Sequence, residues 1–200
     1  QLGWLNFDGN TTVENNVWYH IAFTYDGDIV KIYVNGQEDG SNDNASGNIV
    51  NYSGTSYIGR YFNGQNFPGY MDQMAIWDDD LSPTEIVNIY NNGNEYDLNN
   101  DNSIYSSSID LKAFWKFDEG DGTVAYDHSG NANHGTISGA IWSTNAPIPQ
   151  VGGCTDLYAD NYDSDADFDD GSCSGYPDNG EYSLSFDGNA DVSISEKNIN

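Results

Sequence analysis

The chain is short of positive charge. It holds 5 Lys and Arg against 32 Asp and Glu, a formal net charge of −27. Such a surface is repelled by nucleic-acid phosphates and by anionic lipid, which excludes both as partners. No apolar run approaches the roughly 20 residues that a membrane-crossing helix needs, so this stretch is not expected to insert into a bilayer. Histidine is scarce (His20, His128 and His134), and the two cysteines, Cys154 and Cys173, form no CxxC pattern. A zinc site is therefore not expected. No Ser/His/Asp set with a nucleophile elbow and no phosphate-cradling glycine loop is present. The nearest pair of carboxylates is Glu119 and Asp121 in a glycine-flanked turn. Glycan cleavage needs two acids facing one sugar, which a turn with no third acid does not offer, so no enzyme is expected. The sequence starts at Gln1, without initiator Met or signal-like segment, and reads as an excerpt of something longer.

Aromatic residues, by contrast, are plentiful at 14 %, with 15 tyrosines. Tyr, Val and Ile suit half-buried pleated surfaces, and the first 91 residues alternate with period two. Val17–Asp26 places Trp18, His20, Ala22 and Thr24 on one face and Tyr19, Ile21, Phe23 and Tyr25 on the other. Apolar groups on both faces predict a central strand covered on each side. Asp26-Gly27 predicts a tight turn, because glycine accepts the positive φ that such a turn requires. Ile29–Val34 returns with Val30, Ile32 and Val34 on one side, and Asn35-Gly36 turns again. Residues 36–56 read as loops around at most a short strand, 57–61 and 69–77 as further strands, and 64–68 as a turn. One helix follows Leu81, with Ser82 as N-cap, Pro83 at the first helical position and Glu85 completing a capping box. Leu81, Ile86 and Tyr90 are expected to face the sheet, and Asn92-Gly93 to end the helix.

These segments resemble the laminin-G-like (concanavalin-A-like) jelly rolls. Trp18-Tyr19-His20-Ile21-Ala22, Tyr25-Asp26-Gly27 and Ile32-Tyr33-Val34-Asn35-Gly36 resemble the family's central hairpin. Ile58-Gly59-Arg60, Gly69 through Asp72, Ala75-Ile76-Trp77 and Leu81 through Ile86 resemble its closing strands and final helix, in the right order. The resemblance implies an all-β fold: an antiparallel jelly-roll β-sandwich, N-terminally truncated, with one short helix and a small disulfide-closed loop. On this reading residues 1–93 are the C-terminal part of a jelly roll and 94–110 are a polar linker. Residues 111–149 are an opening segment packed on the first domain, and 150–175 form the acidic loop. Residues 176–200 start a further laminin-G-like domain, with a strand at Tyr182–Ile194. Leu5–Val13 and Leu184–Val192 look alike and are read as shared strand-turn chemistry.

The acidic loop resembles calcium loops of secreted bacterial surface proteins. Cys154 and Cys173 bracket it, and a disulfide closing it is the natural reading, with two free thiols as the bland alternative. Within it Asp163, Asp165, Asp167 and Asp169 alternate, a spacing that lets carboxylates converge on Ca²⁺, with Asp156, Asp160 and Asn161 as further candidates. A solvated acidic loop is the alternative. The EF-hand pattern fails, since Gly171 comes one residue late and no Glu closes the loop. In laminin-G-like relatives a calcium often sits at the sandwich rim. The resemblance implies that Asp127, Asn131, Asn133 and Asp72 could serve such a site, against Asx turns as the plain reading. Tyr61, Phe62, Phe67 and Tyr70 are candidates for stacking on a sugar, against simple core filling. The expected function is extracellular, calcium-dependent adhesion or recognition of a glycan or an extracellular protein. The rivals are a purely structural stalk and a carbohydrate-binding accessory module of a secreted glycoside hydrolase.

Overall fold

The computed structural model describes residues 8–44, 46–49, 54–60, 65–148 and 150–175. Tyr61, Phe62 and the strand expected at Tyr182–Ile194 lie outside them. The chain divides into two units, Gln1–Gln150 and Val151–Asn200.

In the first unit β1 (Ile21–Tyr25), β2 (Val30–Val34) and β3 (Gln37–Asn42) form an antiparallel meander in that order. The two turn signals hold. Asp26 Oδ1 accepts from the backbone N–H groups of Asp28 and Ile29, and Gly27 takes φ +104°. Asn35 and Gly36 both have positive φ, which matches the right-handed twist of the flanking strands. At Gly36 a second constraint applies. A Cβ there would meet the Tyr90 ring at 3.1 Å and the Val87 Cα at 3.3 Å, so the hairpin lies directly on the helix. The six residues of β3 are more strand than the Gly/Ser/Asn/Asp composition of residues 36–56 suggests, because pairing with β2 overrides weak local propensity.

β4 (Met74–Trp77) pairs with β5 (Leu111–Trp115), with a bulge between Ile76 and Trp77 that leaves Lys112 out of register. α1 (Pro83–Tyr90) is capped as its sequence predicts: Glu85 N donates to Ser82 Oγ, and Ser82 N donates to Glu85 Oε2. The helix ends at Asn91, which adopts the left-handed conformation, one residue before the expected stop. β6 (Val124–Ala125) and β7 (Gly135–Thr136) form a short antiparallel pair. Around Tyr57 the described residues contain only an isolated Arg60–Asn66 bridge instead of the expected strand.

One apolar core joins these pieces. It contains Tyr33, Leu81, Ile86, Leu98, Tyr105, Leu111 and Phe114, flanked by Ala22, Ala75 and Trp77. Two expectations change accordingly. β1 lies at an edge of the described sheet, not at its centre, and the Ile21/Phe23 face is open, with Phe23 67 % exposed. The core takes the Ala22/Tyr33 face, so the β2 residue that anchors the sheet is Tyr33. The 94–110 segment is also more than a polar connector. Leu98 and Tyr105 are buried, the Tyr105 hydroxyl donates to the Leu98 carbonyl at 3.0 Å, and Trp77 Nε1 donates to Tyr105 Oη at 3.0 Å. Its abundant Asn and Asp build Asx turns: Asn102 Oδ1 accepts from Ile104 N and Tyr105 N, which aims the tyrosine inward.

In the second unit β8 (Gly152–Gly153) and β9 (Phe168–Asp169) pair in parallel. This short ladder, like the parallel Cys154–Tyr162 bridge beside it, departs from the antiparallel pairing of the described strands in the first unit. The Cys154–Cys173 disulfide closes the loop, with Cα atoms 4.7 Å apart. Cys154 and Ala159 are its buried residues.

Candidate functional site

The chain segment before β4 is pinched by main-chain contacts and displays aromatic rings. Phe67 N donates to the Gly59 carbonyl at 2.8 Å, and Arg60 bridges Asn66. The pinch turns the Phe67 ring across Gly69, where any Cβ would lie 2.7 Å from a ring carbon. Glycine there leaves room for the ring, and a Cβ would make this exposed side chain shift. Tyr70 follows, its ring centroid 6.3 Å from that of Trp18 and tilted by 44°. Gln73, at φ +47°, then redirects the backbone into β4. Nearby in sequence, the Arg60 guanidinium carbon lies 4.5 Å from the Tyr57 ring centroid. Phe67 is 54 % exposed and Tyr70 is 55 % exposed, and Tyr57 and Met71 are exposed too. Core filling does not account for Phe67 and Tyr70. Aromatic faces open to solvent at a backbone-fixed rim can take the C–H face of a flat ligand at low entropic cost.

The candidate oxygen ligands are placed differently. Asp127 is buried, and its carboxylate accepts from three backbone N–H groups: Phe114 at 2.9 Å, Ser129 at 2.9 Å and Asn133 at 2.8 Å. Burial pushes its pKa up, but the hydrogen bonds outweigh that and hold the carboxyl below its ordinary value. Asn131 and Asn133 donate their side-chain amides to the carbonyls of Leu111 and Lys112, at the β5 bulge. These three residues clamp β5. Asp72 has other electrostatic neighbours: burial first, then the charges of Asp118 and Glu95, raise its pKa. In the second unit Asp163 Oδ1 accepts from Asp165 N, Asp167 Oδ2 from Val151 N, and Asp169 Oδ1 from Gly171 N. Among the described residues no group of three or more His, Cys, Asp or Glu side chains comes together to hold a metal. The donors have the hard-oxygen chemistry that calcium prefers. Asp163 and Asp169 form Asx turns and Asp167 holds the Val151 N–H, so in the described arrangement each of these carboxylates braces backbone.

Glu119 Oε1 accepts from Tyr126 N at 2.7 Å, which makes it a brace of its own turn. Sequence reasoning missed Trp18, Tyr57 and Arg60 as rim residues. An arginine between tyrosines, in a chain with 5 basic residues, was the available signal.

Residues 1–87 match the family model of the concanavalin A-like lectin/glucanases superfamily. That segment resembles the laminin-G-like domains of this superfamily. The all-β fold, with a single α-helix among the described residues, agrees with a jelly-roll class. Among solved structures, a Bacteroides ovatus protein provisionally named a carbohydrate-binding protein is similar, at 26 % identity and a TM-score of 0.54. That match covers 73 % of this chain and 42 % of the other. An S-layer domain-containing protein of Clostridium thermocellum is 27 % identical over 41 % of this chain and 43 % of its own, with a TM-score of 0.37. The chain thus spans less than half the length of either. No curated protein matches.

Proposed function

We propose that the laminin-G-like segment is a non-catalytic carbohydrate-recognition module of an extracellular protein, binding through the Phe67/Tyr70 rim. The observation that carries this reading is the pair of half-exposed rings held by a main-chain pinch, one across Gly69 and one against Trp18. The likeness of residues 1–87 to a lectin-containing superfamily, and the similar Bacteroides ovatus structure, support it. The disulfide favours an oxidising, extracellular setting, and no helix among the described residues is long and apolar enough to cross a membrane. No step of the proposed binding runs through a metal.

The chemistry is recognition by stacking. Apolar ring faces take a pyranose face, and neighbouring amides such as Gln65 and Asn66 supply hydrogen bonds of low directional demand. A glycan array of the whole chain tests this, run beside a Phe67→Ala/Tyr70→Ala double variant. Specific hits that vanish in the variant support the reading. Equal binding by both proteins would place recognition elsewhere, and a blank array would leave the stalk reading.

A further inference from the structure

The charges of the molecule narrow the class of glycan, given the rim reading above. Four of the five basic residues are described, and each already has a partner. Lys31 pairs with Glu38 at 2.9 Å, Lys112 with Asp78 at 3.5 Å, and Lys116 with Glu95. The fourth, Arg60, lies over the Tyr57 ring. The fifth, Lys197, is outside the described residues. A sulfated or uronic-acid polymer needs several converging cations, because bidentate or clustered basic groups are what offset the desolvation of its anions. Here the cations are spread along the chain, three of the described ones each pair with a carboxylate, Arg60 is stacked on a ring, and the total charge is −27. At low ionic strength the field of such a protein repels a polyanion before any contact forms, and at ordinary ionic strength it still does so within about a Debye length.

Apart from Arg60, which is stacked on Tyr57, the rim is built of neutral groups. Phe67, Tyr70, Trp18 and Met71 present apolar surface, and Gln65, Asn66 and Gln73 bring uncharged amides in the same stretch of chain. Asp72, between Met71 and Gln73, feels Asp118 and Glu95. The carboxylates nearest in sequence to the rim are thus of the sign that rejects an acidic sugar. We infer that the Phe67/Tyr70 rim takes an uncharged polysaccharide, bound by ring stacking and amide hydrogen bonds, and that polyanionic glycans are excluded.

Affinity electrophoresis of the whole chain tests both parts. The gels carry either neutral polymers (a β-glucan, a mannan, a xylan) or acidic ones (an alginate, a pectin, a sulfated galactan), at low salt and at roughly tenfold higher salt. Retardation is expected with at least one neutral polymer and with no acidic one. The neutral binding should change by less than about twofold with salt, because no ion pairs are screened. Tyr70→Ala should weaken it by about tenfold, the loss of one stacked ring, while Tyr70→Phe, which keeps the ring, should retain most of it. Circular dichroism of both variants confirms that the fold survives. Retention by acidic polymers, lost on adding salt, would overturn the uncharged class while keeping a glycan-binding rim. Retention by no polymer in either set would overturn the class and the rim together.

Discussion

Glu85 ties α1 to the segment that follows it, and replacing it is the sharpest test of how the first unit is held. Its carboxylate is 7 % exposed and takes four donors. Oε2 accepts from Ser82 N at 3.0 Å and Ser82 Oγ at 2.8 Å. Oε1 accepts from Ser106 N at 3.1 Å and Ser107 Oγ at 2.7 Å. In Glu85→Gln one oxygen becomes an NH₂ group. The serine hydroxyls can rotate to accept from it, but a backbone N–H cannot, so one backbone donor is left facing another donor. The cost is about 2 kcal/mol, the usual penalty for an unsatisfied buried donor. Glu85→Ala removes all four acceptances and the capping box, for about 3 kcal/mol. Urea unfolding followed by tryptophan fluorescence reads both. The pH dependence gives a second check. Burial raises the Glu85 pKa, but hydrogen bonds from Ser107, Ser82 and Ser106 outweigh it, so the folded value lies below the ordinary 4.5. A depressed carboxyl pKa stabilises the fold fully above the unfolded value and loses that contribution as pH falls through the folded one. The stability gap between wild type and Glu85→Gln should therefore be constant at neutral pH and shrink below about pH 4.5. A Glu85→Gln cost under about 0.5 kcal/mol, or a gap unchanged in acid, would refute the latch.

Two further outcomes follow from the same kind of accounting. Asp127→Asn, which leaves two good acceptor sites where three backbone donors converge, should cost about 2 kcal/mol and loosen β5, read as faster amide exchange at Phe114. Unchanged protection there would show that the clamp is not structural. Cys154→Ser/Cys173→Ser opens a loop of sequence separation 19 and should remove about 3 kcal/mol from the second unit. Limited proteolysis should then cut within 151–175 before the first unit is attacked, and an unchanged cleavage pattern would contradict this.

Local chemistry was legible wherever it is local. The Asp26-Gly27 and Asn35-Gly36 turns need only positive φ, and the Ser82/Glu85 box needs only a spacing of three residues, so both can be read along the string. The Cys154–Cys173 pair likewise had a single possible partnership. The site was half legible. Phe67 and Tyr70 stand out by residue type, but whether such rings fill a core or face water depends on how the loop closed by the Gly59–Phe67 backbone bond packs, which residue type does not reveal.

The polar residues were the least transparent. Asp127 accepts through its carboxylate while Asn131 and Asn133 donate through their amides, and only the approach of the bulged β5 strand gives these side chains those backbone partners. The segment 94–110 reads as solvent-loving because Asn and Asp dominate it. Packing shows that those side chains satisfy their own backbone and thereby free Tyr105 to enter the core. Sequence alone determined the turns, the helix cap and the sign of the surface charge, because each depends on residues within a few positions or on a simple sum. Tertiary structure decided which strand face is buried, which carboxylates converge and which rings stay open, because those depend on what the chain brings back from far away.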